Sequence, residues 1–227
     1  MSDTDLAAVG ALLGDPSRAR MLDSLMSGRA LAAGELARVA GVAPSTASEH
    51  LARLLSGGLV EVVAQGRHRY YRIAGPAVGA ALEALARVAP ALPVRTLRES
   101  GHARALGFAR TCYDHLAGRC GVALHDALLE QRWLSEAYDV TPAGAVALAG
   151  WGVDVAAARG GRRSFARPCL DWTERRPHLA GALAAGIETA LLERGWFVRR
   201  SGSSRALRLT EVGRAGLAEL GCELTPA

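Results

Sequence analysis

The sequence predicts a mainly α-helical chain with small β-hairpins, an α+β fold divided into two domains. Half of its 227 residues are hydrophobic and only 5% are aromatic, and many of the apolar residues are alanine, which favours helices. The length is generous for one small domain and sufficient for two. Apolar residues recur at helical spacing in most segments, while short strand-like runs flank a few glycine-containing turns.

Four helices are predicted in the first 58 residues, over 4–13, 16–28, 33–40 and 44–57. Leu6, Val9 and Leu12 give the first helix its apolar spacing. Asp15 is suited to cap the second helix, and Pro16 is suited to its first turn. Gly41 ends the third helix, and two further glycines end the fourth.

The third and fourth helices are separated by a short turn and followed by a hairpin. Strands are predicted over 59–64 and 68–73, around the turn at Gln65 and Gly66. Leu51, Leu54 and Leu55 are predicted to form the core face of the fourth helix, which leaves small polar side chains outside. Two helices joined in this way are suited to enter a DNA major groove, and the hairpin brings arginines to the phosphate backbone or minor groove. A further helix is predicted over 77–90.

The segment 1–91 resembles the winged helix-turn-helix regulators of the ArsR family. Four stretches carry the resemblance in the family's order and spacing: 15–22, 47–54, 57–60 and 66–71. The resemblance implies a homodimer built mainly from the first and last helices of this domain. It also implies a repressor that leaves its operator when an inducer binds.

The predicted DNA-binding residues lie on the fourth helix and on the hairpin. Short polar side chains of that helix can reach phosphates or base edges, and the arginines can contact phosphates or the minor groove. The resemblance assigns base reading to Thr46, Ala47, Ser48 and His50. The alternative is plain solvated surface, or a winged helix used only for protein contact. The full set is Ser45, Thr46, Ala47, Ser48, His50, Arg53, Arg67, His68 and Arg69.

The segment also departs from the family's known metal sites. Its best-known members carry cysteine ligands in the third helix, whereas the stretch 33–40 has none. Other members carry histidine ligands in the last helix, and the stretch 77–90 has no histidine. A sensing function must therefore lie elsewhere in the chain.

Residues 92–98 are predicted to form a linker, and residues 99–227 contain an internal repeat. The sequence His-Leu-Ala-Gly at 115–118 recurs at 178–181, an interval of 63 residues (178 − 115). Ala-Leu-Leu-Glu at 127–130 recurs at the same interval, and so does the tryptophan that follows it. Each copy is predicted as helix, strand, strand, helix, which looks like a degenerate winged-helix half. We interpret this region as a sensing or dimerisation domain of two pseudo-symmetric units.

Two cysteines and two histidines occupy related places in the two copies. Cys112 and His115 lie at the start of the first copy, and Cys169 and His178 precede the second. If a pseudo-twofold relates the copies, the four side chains converge, and such a set suits tetrahedral zinc or another borderline-soft metal. The alternatives are cysteines that fill the core with histidines bonded to Asp114 or Asp171, or a thiol redox switch of the two cysteines.

A second candidate site is a pocket for an organic or anionic ligand, lined by Arg110, Tyr113, Trp172 and His178. The alternative is that this segment is an ordered connection between the two copies. No nucleophile elbow, phosphate-binding glycine loop or HExxH motif occurs, so we do not expect an enzyme. The competing hypothesis is a metal- or thiol-dependent enzyme or sensor that uses the winged helix for docking.

The charge and hydropathy of the sequence limit the kinds of partner that we expect for this protein. The net charge is +5, and all 27 basic residues are arginine, so any phosphate contact is made by a guanidinium group. No uncharged apolar run reaches the length of a transmembrane helix, and the start of the chain lacks a signal-peptide pattern. We therefore expect a cytoplasmic regulator whose partners are an operator in double-stranded DNA, a second copy, and a small-molecule or metal inducer.

Overall fold

A computed structural model describes residues 4–66, 68–90, 93, 96–200, 205–222 and 224. The chain divides into two compact units between Ala84 and Leu85, inside the helix Pro76–Val88. The domain boundary predicted at 91 lies beyond this point, and the next helix begins at Leu97, within the predicted linker. Among the described residues, no helix combines the length and the apolar character that a membrane crossing requires.

The N-terminal unit contains the predicted helices and hairpin. Its helices are α1 (Leu6–Leu13), α2 (Pro16–Leu25), α3 (Ala33–Ala40) and α4 (Pro44–Ser56), followed by α5 (Pro76–Val88). Its antiparallel strands, in the sheet order β1-β3-β2, are β1 (Leu31–Ala32), β2 (Val60–Gln65) and β3 (His68–Ile73).

Local side-chain chemistry sets the helix ends of this unit. The Asp15 carboxylate accepts hydrogen bonds from the backbone N–H groups of Ser17 and Arg18, at 2.9 Å each. Gly41 ends α3 with φ +70°, a left-handed conformation that glycine adopts without strain. The chain then turns directly into α4, so the two helices form a compact helix-turn-helix.

Arg18 explains why an arginine belongs in the motif at the start of α2. Its side chain is buried, and its guanidinium donates 2.7 Å hydrogen bonds to the carbonyl oxygens of Leu12 and Ala11. These are unsatisfied carbonyls at the end of α1. Arg18 therefore fixes α1 against α2 beside the buried leucines and methionine of the core, which include Met21, Leu22, Leu36, Leu51 and Leu54.

The C-terminal unit alternates hairpins with helices. Its first part holds α6 (Leu97–Phe108), β4 (Arg110–Cys112), β5 (His115–Ala117), α7 (Arg119–Glu130), α8 (Pro142–Gly150) and α9 (Val155–Gly160). Its second part holds β6 (Arg167–Leu170), β7 (Pro177–Ala180), α10 (Ala182–Glu193), β8 (Phe197–Arg199), β9 (Leu207–Leu209) and α11 (Glu211–Glu219). The hairpins are β4–β5, β6–β7 and β8–β9.

The same glycine geometry opens α7 and α10. Gly118 and Gly181 precede these helices with φ +77° and +104°. A Cβ atom at either position would lie 2.7 Å from a backbone oxygen, that of Gly107 or of Phe165. Both positions therefore require glycine, for backbone conformation and for space.

The helices α8 and α11 also begin alike. Thr141 and Thr210 cap them by accepting 3.0 Å hydrogen bonds from the backbone N–H groups of the glycines three residues on. A Cβ atom on those glycines would lie 2.1 or 2.2 Å from the carbonyl oxygen of Trp133 or Trp196. Each helix start therefore packs directly on the backbone beside a tryptophan.

The predicted order helix, strand, strand, helix needs correction in this unit. The second part has the two predicted strands as β8 and β9, whereas the first part has at that place an isolated bridge between Leu134 and Val140. The hairpins β4–β5 and β6–β7, which the sequence did not predict, stand ahead of α7 and α10. In each part a hairpin therefore stands directly before the helix that carries the repeated sequence, and in the first part α6 precedes that hairpin.

Candidate functional sites

The helix α4 presents a continuous polar stripe to solvent. Its exposed residues recur every three or four positions, opposite the buried Ala47, Leu51 and Leu54. Small side chains and one arginine make up most of the stripe, so a broad groove can approach the helix closely. The exposed residues are Pro44, Ser45, Ser48, Glu49, Ala52, Arg53, Leu55 and Ser56. Leu55 is 38% exposed, which corrects the prediction that it belongs to the core face, because α4 turns only Leu51 and Leu54 of the three leucines fully inward.

The structure changes the predicted base-reading set at two positions. Ala47 is fully buried, which corrects the prediction that it reads a base, because α4 turns this side chain into the core. The His50 imidazole Nδ1 lies 3.4 Å from the Arg18 guanidinium and 3.9 Å from the Asp15 carboxylate. His50 is therefore held against the start of α2, and Thr46 is half-buried.

Ser48 has a defined hydrogen-bonding state in the free chain. Its hydroxyl donates a 2.9 Å hydrogen bond to the carbonyl oxygen of Pro44, one turn earlier in α4. The oxygen lone pairs remain available outward. Ser48 is thus suited to accept a hydrogen bond from a base amino group.

The hairpin β2–β3 forms the wing beside this helix. Gln65 pairs with His68 across the turn, and Gly66 adopts φ +59°. His68 and Arg69 are exposed at the tip, while Arg72 forms an ion pair with Glu61 further down. The predicted contact Arg67 lies outside the described residues. The wing therefore offers Arg69 as a cation close to its tip.

The C-terminal unit brings together the four predicted metal-ligating residues, Cys112, His115, Cys169 and His178. Their ligand atoms all lie within 4.8 Å of one another, and all four side chains are buried. We call this cluster the Cys/His centre. Strand pairing explains the convergence, because each hairpin places its cysteine opposite its histidine and β5 contacts β7. The two imidazole rings stack with centroids 5.1 Å apart.

A carboxylate anchored by an arginine faces His115. The imidazole Nδ1 lies 3.2 Å from the Asp114 carboxylate, whose other oxygen lies 2.6 Å from the Arg163 guanidinium. Burial opposes the charged imidazolium, but the neighbouring Asp114 carboxylate and Cys169 sulfur raise the pKa of His115 to about 9.

A similar but fully buried arrangement faces His178. Its imidazole Nδ1 lies 3.5 Å from the Asp171 carboxylate, and that carboxylate accepts a 2.9 Å hydrogen bond from the Arg110 guanidinium. Asp171 also accepts hydrogen bonds from the backbone N–H of Gly118, at 2.7 Å, and from Thr173. Against the effect of burial, Arg110 and these donors hold the pKa of Asp171 well below its usual range.

The four cysteines fall into two electrostatic classes. The neighbouring Cys112, followed by the two histidines, holds the pKa of the Cys169 thiol well below its usual range although burial opposes this. Burial raises the pKa of Cys120 to about 12 and that of Cys222 to about 11. Cys120 and Cys222 pack in the apolar core, so thiolate chemistry belongs to the Cys/His centre.

The side chains predicted to line a ligand pocket are engaged in contacts within the protein. The Arg110 guanidinium is bonded to Asp171 and stacks over the Trp172 ring, with 4.5 Å between its carbon and the ring centroid. His178 belongs to the Cys/His centre, and Tyr113 lies in the tight turn between β4 and β5 with φ +61°. These contacts favour the interpretation of this segment as an ordered connection.

Only some of the residues around the imidazoles could be predicted from the sequence. The sequence predicts Asp114 and Asp171 only as alternative partners of the histidines. The structure places them beside a cluster of side chains of the kinds that bind metals. Arg163 carried no signal, because nothing in its spacing connects it with Asp114. The 61-residue separation of Arg110 and Asp171 likewise hides their ion pair.

Comparisons with known proteins identify the relatives of this chain. Residues 13–63 match a family model described as a helix-turn-helix domain. The chain is 45% identical over 213 residues to the uncharacterized HTH-type transcriptional regulator YdfF of Bacillus subtilis, covering 92% of this chain and 94% of that one. It is 36% identical over 88 residues to the HTH-type transcriptional regulator CmtR of Mycobacterium tuberculosis, covering 39% of this chain and 74% of CmtR.

A solved structure matches the N-terminal part. It is the homodimeric winged helix-turn-helix domain of Mb0332 from Mycobacterium bovis, described as a possible ArsR-family regulator; it is 35% identical, with a TM-score of 0.34, over 39% of this chain and 88% of that domain. The relation to YdfF extends over nearly the whole chain, including the C-terminal unit. The chain belongs to the ArsR family of winged helix-turn-helix transcriptional regulators, which bind DNA.

Proposed function

We propose that this regulator is a ligand-responsive repressor that binds a pseudo-palindromic operator as a homodimer. Each protomer inserts α4 into one major groove, with the two helices about 34 Å apart. The observation that carries the proposal is the polar stripe of α4, with Ser45, Ser48 and Arg53 exposed beside a wing that exposes Arg69. Short polar groups and guanidinium groups are therefore presented together on this surface.

The proposed DNA contacts fall into two classes, those to phosphates and those to bases. Arg53 and Arg69 neutralise phosphates and set the position of the domain. Ser48 and Glu49 face the bases, where Ser48 accepts from an amino group and Glu49 accepts from the amino group of cytosine. His68 and Arg67, which the sequence predicts as DNA-binding residues, extend the wing contact. Specificity then comes from α4 and salt-dependent affinity from the arginines.

The dimer is proposed to use α1 and α5, as the resemblance implies. Every residue of α1 is at least partly exposed, and its Leu6 keeps 77% of its surface. In α5, Leu85 and Val88 are exposed, Val88 at 79%. Apolar side chains presented by both helices gain free energy when a second copy covers them.

The sensing role is assigned to the C-terminal unit. The helices α3 and α5 lack the cysteine and histidine ligands that other family members carry there, whereas the C-terminal unit gathers titratable groups in its interior. We interpret that unit as an internal duplication whose hairpins meet at the Cys/His centre. An inducer acts by binding more tightly to the DNA-incompetent form.

The structure gives one argument against the enzyme alternative. A catalytic zinc site keeps an open position for water or substrate, whereas a site with four protein ligands is closed. The Cys/His centre offers four side-chain ligands and is buried, which supports a regulatory role.

The proposal is tested by titrating the protein against the DNA immediately upstream of its own coding sequence and against a scrambled duplex, at two salt concentrations. We expect sequence-preferring binding. Arg53→Ala should weaken binding to both duplexes and lower the salt dependence by about one released counterion. Arg104→Ala, an exposed arginine of α6, is the matched control and should bind like the wild type. Equal affinity for both duplexes would contradict the proposal.

A further inference from the structure

We propose that Cys112, His115, Cys169 and His178 bind one zinc-class divalent ion in a closed tetrahedral site that joins the two hairpins of the C-terminal unit. The inference gives a ligand class to the sensing role and in that respect rests on the proposed function. Metal binding itself can be tested without DNA, so the two can fail separately.

The donor set has the composition that such ions prefer. Two sulfur and two nitrogen ligands favour zinc and other borderline-soft ions over magnesium or calcium, which require oxygen ligands. In a tetrahedral zinc site, bond lengths of about 2.3 Å to sulfur and 2.0–2.1 Å to nitrogen place ligand atoms roughly 3.3–3.8 Å apart. The four ligand atoms already lie within 4.8 Å of one another, so a small inward movement completes the site.

The imidazoles are buried with unused ligand atoms. Nε2 of His115 and both ring nitrogens of His178 make no hydrogen bond of ordinary geometry within the described part of the chain, although Nδ1 of His178 lies 3.5 Å from the Asp171 carboxylate. A buried polar nitrogen without a partner is unfavourable. A metal ion removes this penalty by accepting a lone pair from each ring, which purely structural packing of the histidines does not do.

The surroundings orient both rings for metal binding. Metal-bound imidazoles usually donate their other ring N–H to a carboxylate. Asp114 faces Nδ1 of His115 and Asp171 faces Nδ1 of His178, which directs Nε2 of each ring away from the carboxylates as the ligand atom. Arginines hold both carboxylates from elsewhere in the unit, so the arrangement exists before the ion arrives.

The origin of the ligands determines what the ion does. Cys112 and His115 belong to β4 and β5, and Cys169 and His178 belong to β6 and β7. A bound ion therefore ties two hairpins that are distant in sequence. Because it binds the folded unit in preference to the unfolded chain, it stabilises that unit by mass action.

The first test is a cobalt(II) titration of the full chain, reduced and stripped of metal. We expect one equivalent to bind, with sulfur-to-cobalt charge-transfer bands and the intense visible bands of tetrahedral cobalt, and zinc(II) should displace it. Cys112→Ser should weaken binding by more than the roughly 10–100-fold that loss of an outer-shell partner costs. Cys222→Ser is the matched control, because Cys222 is buried in the core and donates to the Ala123 carbonyl. It should bind cobalt like the wild type.

A second measurement stays decisive if the Cys112 variant fails to fold. X-ray absorption of the zinc-loaded wild type should show two sulfur and two nitrogen ligands. A shell of oxygen and nitrogen alone would overturn the proposal, and so would a reduced wild type that takes up no zinc or cobalt. A Cys112–Cys169 disulfide that forms in place of metal uptake would overturn it in favour of a redox switch.

Discussion

The two units of this regulator differ in where their polar side chains lie: at the surface in the N-terminal unit and in the interior in the C-terminal unit. The N-terminal unit has a largely apolar core and presents Ser48, Arg53 and Arg69 to solvent, whereas the C-terminal unit buries cysteines, histidines, carboxylates and arginines in its interior. Outward polar groups on a rigid helix are suited to a partner as large as DNA. Inward donors from which water is excluded are suited to a ligand as small as one ion.

The difference also separates function from stability. An exposed serine or arginine is solvated by water, so its removal changes binding and hardly changes folding. A buried charge requires a partner, so in the C-terminal unit the functional groups are also structural ones. We therefore expect substitutions around the Cys/His centre to affect both folding and ligand binding, and substitutions on α4 to affect DNA binding alone.

The largest effect should follow loss of the buried ion pair behind His178. Asp171→Ala leaves the Arg110 guanidinium buried without its carboxylate, which should cost about 3–5 kcal/mol of unfolding free energy. Urea unfolding followed by tryptophan fluorescence measures this, because all four tryptophans belong to the C-terminal unit. Asp139→Ala, which removes the exposed pair with Arg159, should cost less than about 1 kcal/mol. Equal costs would contradict the account of the buried network.

The same pair predicts acid sensitivity. The folded-state pKa of Asp171 is depressed, so its contribution is complete above the unfolded value near 4 and is lost as the pH falls through the folded value. We expect the stability difference between the wild type and Asp171→Asn to shrink as the pH falls below about 4. A difference that grows towards acid would contradict this sign.

Substitution of the two glycines at the starts of α8 and α11 should lower the free energy of unfolding by an intermediate amount. Gly144→Ala and Gly213→Ala each place a Cβ atom against a tryptophan carbonyl, and the resulting strain should cost about 1–3 kcal/mol. Gly150→Ala in α8 meets nothing within 4 Å, so it should be neutral or slightly stabilising. Urea unfolding of the three variants compares the two parts of the C-terminal unit. A cost at only one of the two glycines would show that the parts differ in packing.

The smallest effect should appear on α4. Ser48→Ala should lower operator affinity by about 0.5–1.5 kcal/mol, with the loss concentrated at one base pair, while the unfolding free energy changes by less than about 0.5 kcal/mol. Ser56→Ala, at the far end of the same exposed stripe, is the control. Competition binding against single-base operator variants separates the two. A Ser48→Ala loss that is uniform across sequences would place Ser48 on a phosphate.

The N-terminal unit was readable from its sequence because its signals are local. Asp15 and Pro16 mark a helix start, Gly41 marks an end, and the alternation around Gly66 marks the wing, and the structure has all three. The face of α4 was less certain, since a small residue such as Ala47 fits both a core and a DNA contact. The structure buries Ala47 fully, so this residue belongs to the core.

The C-terminal unit was less readable because its determinants are distant in sequence. The repeated His-Leu-Ala-Gly sequence indicated related copies, but β4 to β7 have three or four residues each and β4 and β5 are wholly buried, so they show no alternation. The contacts of Asp171 with Arg110, and of Asp114 with Arg163, exist only after the hairpins pack. The sequence could therefore suggest the four residues of the Cys/His centre and, as an alternative, the two carboxylates beside its histidines, but not the arginines that hold those carboxylates.

The most direct test of the central claim, that the C-terminal unit controls the DNA-binding face, is operator affinity at fixed salt and in reductant, with and without zinc(II). Zinc should weaken operator binding by the wild type and by Cys222→Ser at least tenfold, and should leave operator binding by Cys112→Ser unchanged. Wild-type affinity that is the same with zinc, with chelator and with neither would contradict that claim.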